Sequence, residues 1–366
     1  MRRASMLVIL ASCGSAERSA DVRPLGGDLA LMWSAEATLA PRLRTQPPPL
    51  LLPAAFPWGD MLYAKGGEIV CADDLTGRVR WTAEADTGSA IQAAACREEV
   101  AVLEPGTGLR TFSRDGRQLG AWATAELDSA LLATPGRIYV AEGDRLHAFE
   151  PATVRRVWTW RAPPGQAFLG AAASEENVAV NVFSDQGPQG ETFALDFHAG
   201  TPRGRLLGRT LGWHEGRHFV WREKLSEVWI RDSLTGAYLG VRKLDSPEGP
   251  VLLHEGEALY ASVNRYFTEG VARISADGAR ELPQEVSAVR EMQREGAWRQ
   301  PWVGGARLDG EILTDVRPDR ITAVGARDGA LHWELKAASG IRGFAVGPRC
   351  VVVLTGDGRV SCYRRT

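Results

Sequence analysis

One unit recurs along this chain, and its period leaves few folds open. Each copy is a strand, a polar turn of the form Asp-x-x-Thr-Gly, and often a tryptophan four residues later. The clearest copy is Cys71-Ala72-Asp73-Asp74-Leu75-Thr76-Gly77, followed by Trp81. Related copies are Ala148-Phe149-Glu150-Pro151-Ala152-Thr153-Val154 with Trp158, Ala194-Leu195-Asp196-Phe197-His198-Ala199-Gly200, and Ile230-Arg231-Asp232-Ser233-Leu234-Thr235-Gly236. A degraded copy ends at Asp328-Gly329 with Trp333, and weaker ones turn at Asp115-Gly116, with Trp122, and at Asp277-Gly278. The landmarks at 77, 116, 154, 200, 236, 278 and 329 are spaced by about 42 residues on average.

That spacing suits one four-stranded propeller blade per repeat. Segments ahead of the landmarks, such as Arg137-Ile138-Tyr139-Val140-Ala141 and Asn177-Val178-Ala179-Val180-Asn181, have the residue types and alternation of strands. Forty glycines supply turns and twelve tryptophans supply large, flat packing surfaces. The two ends of the chain are complementary. Residues 349–363 offer two strands with no tryptophan strand after them, and Leu29-Ala30-Leu31-Met32-Trp33-Ser34-Ala35 resembles the missing one. Pairing the two would close a ring and remove open edges. The fold expected is all-β: an eight-bladed propeller of four-stranded antiparallel blades over residues 29–366, its last blade closed by the N-terminal strand. Seven blades is the alternative, because the unit at Gly278 is weak.

The N-terminus reads as an address. Arg2 and Arg3 precede a brief apolar run, and Leu10-Ala11-Ser12-Cys13 resembles a bacterial lipobox. The resemblance implies a signal peptide over residues 1–12, a lipid on Cys13 and a tether over residues 13–28. The run is shorter than the usual 7–15 residues. Gly14, in place of the aspartate of an inner-membrane retention signal, points to the outer membrane, periplasmic side. Beyond it no apolar run reaches the ~18 residues of a membrane span, so the membrane is met through the anchor alone.

A net charge of −2 with 24% charged residues lacks the basic surplus of a nucleic-acid binder. Cys71, Cys96, Cys350 and Cys362 allow three full pairings in an oxidising compartment, with buried free thiols as the other outcome. In a hairpin turning at Gly356-Asp357-Gly358, pairing Leu354 with Arg359 puts Cys350 opposite Tyr363. Cys350 and Cys362 would then face opposite sides of the sheet, against a bond between them.

The Ala-x-Asp-x-x-Thr-Gly-x-x-x-Trp pattern over residues 29–363 resembles the PQQ-like, tryptophan-docking repeat of quinoprotein propellers. In that family the tryptophan packs between neighbouring blades. The resemblance implies this role for Trp81, Trp158 and Trp333, and for Trp122 in a shorter variant. Gly204, Gly240 and Leu282 stand where three other copies would have it, so docking there needs something else. Size, blade count and lipobox are most similar to the BamB family of outer-membrane assembly lipoproteins. That likeness implies a monomeric, noncatalytic scaffold, with a β-barrel assembly complex as the candidate protein partner.

Chemistry is otherwise sparse, and no catalytic, metal or cofactor residues are expected. Quinone dehydrogenases of similar repeat are far longer and carry adjacent cysteines, and no Cys-Cys occurs here. His214-Glu215-Gly216-Arg217-His218 matches a zinc-protease motif that needs a helix, but the repeat phase places it at a turn before a strand. His147, His198 and His332 are isolated in strands or turns. The longest interval, from Gly278 to Gly329, holds a candidate amphipathic helix at residues 281–296. After it come Trp298, Arg299 and Trp302, the residue types of a binding hot spot. A protein-binding scaffold is the reading taken. Its alternatives are a quinone-dependent or other small-molecule enzyme using the funnel, and a carbohydrate- or surface-binding module.

Overall fold

The computed structural model describes residues 22–24, 29–36, 52–86, 91–104, 106–124, 129–174, 177–184, 190–214, 217–222, 225, 227–233, 235–243, 252–255, 258–265, 268–275, 278–281, 307–309, 312–316, 319–325, 331–347 and 349–365. Among them there is no α-helix, and the strands form eight antiparallel sheets. Seven sheets are consecutive in sequence: residues 54–84, 92–123, 130–161, 166–207, 209–243, 252–281 and 307–337. The eighth takes three strands from residues 341–365 and its fourth from Leu29–Glu36. The weak unit at Gly278 thus belongs to a sheet of its own, as the eight-unit reading requires.

Within each sheet the strands follow in order, the first meeting the first strand of a neighbouring sheet at most junctions and the fourth lying outermost except in the seventh sheet, which has five strands. Burial follows that position. In blade 1 the second strand, Asp60–Lys65, is buried along nearly its whole length, whereas the fourth, Val79–Glu84, buries chiefly Trp81. The core is a set of interfaces between sheets. Ile69 and Trp81 of blade 1 pack with Val100 and Phe112 of blade 2. Leu103 and Leu109 of blade 2 meet Phe149 and Val154 of blade 3, and Trp158 of blade 3 meets Val178 and Val180 of blade 4.

The recurring turn explains its own residues. Asp73 Oδ1 accepts bonds from the backbone N–H groups of Leu75 (3.2 Å) and Thr76 (2.9 Å) and from the Thr76 hydroxyl (2.8 Å). An aspartate so placed closes the turn through its side chain. Gly77, at φ +66°, then returns its N–H to the Asp73 carbonyl (2.9 Å). Such a φ suits glycine, which has no Cβ to clash. A register shift just ahead of the turn recurs at Cys71/Ala72, Ala148/Phe149, Ala194/Leu195 and Ile230/Arg231.

Closure joins the two ends of the chain. Leu29–Glu36 pairs antiparallel with Arg359–Arg365, setting Trp33 opposite Cys362 and Glu36 opposite Arg359. Ala35, Val352 and Cys362 of blade 8 share a core with Met61, Tyr63 and Val70 of blade 1. Buried Asp74 gathers this seam. Its carbonyl accepts the Trp33 indole N–H at 3.0 Å and the Cys362 thiol at 2.8 Å, and its carboxylate pairs with Arg349.

Two features depart from expectation. The last hairpin pairs Leu354 with Val360, not Arg359, because Thr355 and Arg359 close the turn (Thr355 Oγ1 to Arg359 O, 3.1 Å). A one-residue slip reverses every side chain of a strand. Cys350 and Cys362 therefore share a face and a core instead of facing opposite sides, and all four of these cysteines are buried free thiols. Burial pushes the Cys71 and Cys96 thiols up to about 12. In addition, Val22–Pro24, within the stretch expected as tether, pairs with the outer strand of blade 7 and gives that sheet a fifth strand.

Deleting Leu29–Glu36 strips the outer strand from blade 8 and the indole from the seam. Compared with deleting residues 14–21, it should sharply lower soluble yield and melting temperature. A Leu29–Glu36 deletion that stays monomeric and melts like the parent would show that this strand does not hold the ring.

Candidate functional site

The outer rim carries a device used repeatedly. In each occupied copy, a tryptophan on the fourth strand of one blade lies against the turn glycine of the next. A Cβ at Gly77 would come within 2.8 Å of the Trp33 ring, one at Gly200 within 2.5 Å of Trp158, and one at Gly116 would collide with Trp81. Each indole N–H donates to the carbonyl after the first residue of the turn: Trp33 to Asp74 (3.0 Å), Trp81 to Arg114 (3.1 Å) and Trp158 to Phe197 (3.0 Å). Trp81 also stacks on Phe112, ring centroids 5.3 Å apart. Each of these three docks thus combines a ring that is buried (Trp81, Trp158) or half-buried (Trp33), a satisfied N–H and a glycine that lets the ring come close.

The docks of Trp122 and Trp333 differ. At the blade 2–blade 3 junction the docking position is held by Gly120, and the turn glycine is replaced by Val154 at φ 53°. The sizes are exchanged: Gly120 is close enough that a Cβ would lie 2.8 Å from Val154 Cγ2. Trp122, two residues further along, rests against His147 and Phe149 of blade 3 at 5.2 and 5.0 Å. Trp333 is buried against Val351, Val353 and Tyr363 of blade 8. Its indole N–H has no partner among the described residues. Blade 8 takes its third and fourth strands from opposite ends of the chain, so no continuous turn joins them to supply the acceptor carbonyl.

The blade 4–blade 5 junction has Gly204 at the docking position and is held from inside instead. Asn181 Oδ1 accepts the Thr192 hydroxyl (2.9 Å) and the Thr210 N–H (2.8 Å), and the Thr210 hydroxyl meets His218 Nε2 at 2.7 Å. This buried network joins blades 4 and 5 in the absence of the tryptophan. Nearer the centre, buried Gln92 on the first strand of blade 2 bridges to blade 3, through the Ser129 carbonyl and the Leu131 N–H, both at 2.8 Å.

A family model described as "Outer membrane protein assembly factor BamB" matches residues 30–207. The crystal structure of BamB from Moraxella catarrhalis superposes with a TM-score of 0.59 at 12% identity, covering 92% of this chain and all (100%) of that one. This chain is a PQQ-like β-propeller resembling BamB. Two other solved structures are also similar in fold. A computationally designed protein, Ika8, gives a TM-score of 0.62 at 13% identity over 86% of this chain and 96% of its own. Quinohemoprotein alcohol dehydrogenase ADHIIG from Pseudomonas putida HK5 gives 0.56 at 14% identity over 93% of this chain and 76% of its own. No curated protein sequence matches this chain.

Among the described residues none is arranged to hold a quinone cofactor. The four described cysteines are buried, all of them in cores between blades, and none is adjacent in sequence to another. Trp33, Trp81 and Trp158 spend their faces and N–H groups on neighbouring turns. Among the described residues no group of three or more His, Cys, Asp or Glu is placed to hold a metal. The zinc-protease motif is split across two paired strands, with Trp213 opposite His218 and His214 opposite Arg217. Burial lowers the His218 pKa to about 4, helped by the charge of Arg231. His147 is buried between Glu142 (3.1 Å) and Thr159 (2.9 Å), and burial lowers its pKa against the opposing pull of Glu142. His198 and His332 are exposed. Cys13, Trp298, Arg299 and Trp302 lie outside the described residues. Trp33 was legible only as part of a strand; its docking role needed the register with Cys362.

Two measurements check this site. Trp81→Ala should cost about 3–5 kcal/mol, read as a lower denaturant midpoint, because a ring only 8% exposed is removed. An unchanged midpoint would remove Trp81 from the docking set. The second concerns pH. His218 has a folded pKa near 4 against 6.5 for a free histidine, so the unfolded chain binds more protons between those values. The stability from keeping it neutral is full above pH 6.5 and falls as pH drops toward 4, by up to about 3 kcal/mol. His218→Gln should flatten that decline; the same slope in the variant would count against His218 as its source.

Proposed function

We propose that this chain is a noncatalytic, lipid-anchored scaffold of the bacterial envelope that binds protein partners linked to outer-membrane protein assembly. The observation that carries the reading is the match of residues 30–207 to the BamB family model. The construction of the molecule supports it. The four described cysteines and the tryptophans Trp33, Trp81 and Trp158 are taken up in joining blades. Scaffolds of this kind bind by shape, and need no perturbed titratable group in a cleft.

Cys13 is the proposed lipid attachment. Val22–Pro24, nine residues further on, is bound to the outer strand of blade 7. Nine residues reach at most about 30 Å. An anchor at Cys13 therefore keeps the outer edge of blade 7 near the membrane and orients the ring. The segment with Trp298, Arg299 and Trp302 precedes the same blade in sequence, and is proposed as a partner contact.

Cys13→Ser should release the protein from the membrane fraction with its melting temperature unchanged, and the parent should co-purify with a β-barrel assembly complex from solubilised outer membranes. Continued membrane fractionation of the serine variant would refute the anchor. Absence of the complex from the purified parent would refute the assembly role. The likeness to a quinohemoprotein alcohol dehydrogenase supports a second reading, a small-molecule enzyme using the funnel. Quinone absorbance in the purified protein would favour it.

A further inference from the structure

The junction between blades 4 and 5 keeps the receiving half of a tryptophan dock and lacks the tryptophan. The turn is intact. Asp232 Oδ1 accepts the Thr235 N–H at 2.7 Å and its hydroxyl at 2.8 Å, and the Gly236 N–H returns to the Asp232 carbonyl at 2.9 Å. Gly236 keeps φ +71°, close to +66° at Gly77 and +68° at Gly200. At Gly77, Gly116 and Gly200 an indole covers the glycine, whereas a Cβ built on Gly236 meets nothing within 4 Å. The same holds at Gly204, where the tryptophan would originate. Among the described residues both halves face open space, while the Asn181–Thr192–Thr210–His218 network joins these blades from inside.

We infer that the vacant dock at Gly204 and Gly236 receives a tryptophan side chain from an acidic, extended segment of a partner protein. The inference deepens the scaffold reading and rests on it. The occupant follows from the chain's own three filled copies, which define the ligand as an indole over the turn glycine. Its N–H would point at the carbonyl after the turn's first residue, here that of Ser233. Where Phe112 lies against Trp81, the equivalent residue in blade 5 is Arg231, whose guanidinium already sits over Trp229 at 5.6 Å. A planar cation there suits a second indole.

The surroundings specify the rest of the partner. Leu207, Tyr238 and Leu239 are 54, 54 and 55% exposed on the outer strands of blades 4 and 5. In sequence those strands, Pro202–Leu207 and Tyr238–Lys243, contain Arg203, Arg205, Arg242 and Lys243 and no carboxylate, with Glu227 of blade 5 at the register position opposite Lys243. Asp196 and Glu191 of blade 4 pair with Arg203 and Arg205 and so offset part of that charge. An outer strand with a free edge also offers backbone groups to an extended chain, as the outer strand of blade 7 does to Val22–Pro24.

The test uses the full chain and a synthetic pentapeptide, acetyl-Asp-Glu-Trp-Glu-Asp-amide, with a fluorine on the indole and read by fluorine NMR. The parent should bind it. The peptide with alanine for tryptophan should bind roughly tenfold or more weakly, as for loss of a central aromatic anchor. Gly204→Trp fills the dock from within, so it should melt at or above the parent temperature and lose the peptide by a similar factor. Should that variant fail to fold, Arg231→Glu carries the same comparison and should also weaken binding. No binding to the parent, equal binding of the alanine peptide, or undiminished binding to the filled or reversed-charge variant would each overturn the dock. A parent that co-purifies with the assembly complex yet ignores the peptide overturns the dock and leaves the scaffold reading standing. Peptide binding without the complex does the reverse.

Discussion

The ring depends on one contact made several times: an indole laid on the turn of the next blade. A single blade cannot bury both of its faces, so stability comes from the junctions. The docks at Gly77, Gly116 and Gly200 satisfy the junction in three ways at once, through apolar area, a paired indole N–H and close approach to a glycine backbone. The geometry repeats closely, with N–H to carbonyl distances of 3.0–3.1 Å at all three. The core clusters follow from it, since each straddles two blades rather than filling one.

Where the indole is missing, the chain compensates by different physics. Between blades 2 and 3 the volume moves from strand to turn. Val154 supplies bulk where glycine usually sits, and Gly120 yields the room. Valine at φ 53° is a strained choice, of order 1–3 kcal/mol, held by burial at 5% exposure. Between blades 4 and 5 the compensation is polar and inward, through Asn181, Thr192, Thr210 and His218. A satisfied buried network rigidifies its surroundings, and it makes this junction sensitive to protonation of His218. It also leaves the rim open at Gly204 and Gly236, which the indole docks do not.

That difference connects construction to function. Among the described residues, all four cysteines and two of the histidines, His147 and His218, are taken up in packing. The rim is uneven: some junctions are sealed by tryptophan, one is open and flanked by cations and exposed apolar residues, and one outer strand already carries an added strand. The segment Val22–Pro24 paired at blade 7 adds to that unevenness.

The repeat period, the turn residues and the complementary chain ends determined the architecture without coordinates, because each is a local signal repeated enough to be read. Asp73, Thr76 and Gly77 specify their turn by chemistry within five residues, and Trp81 follows at a fixed offset. Sequence alone also marked Gly204 as lacking its tryptophan. Whether that left a cavity was a question for tertiary structure. Trp122 carried the signal of a docking residue, yet Gly120 holds the register position, since a bulge and the Gly120–Val154 exchange shift the contact by two residues. Cys350 and Cys362 were assigned to opposite faces, because one residue of turn length decides the face and spacing does not reveal it. The tryptophans named the docks, and only the packing of one blade on the next decided which were filled.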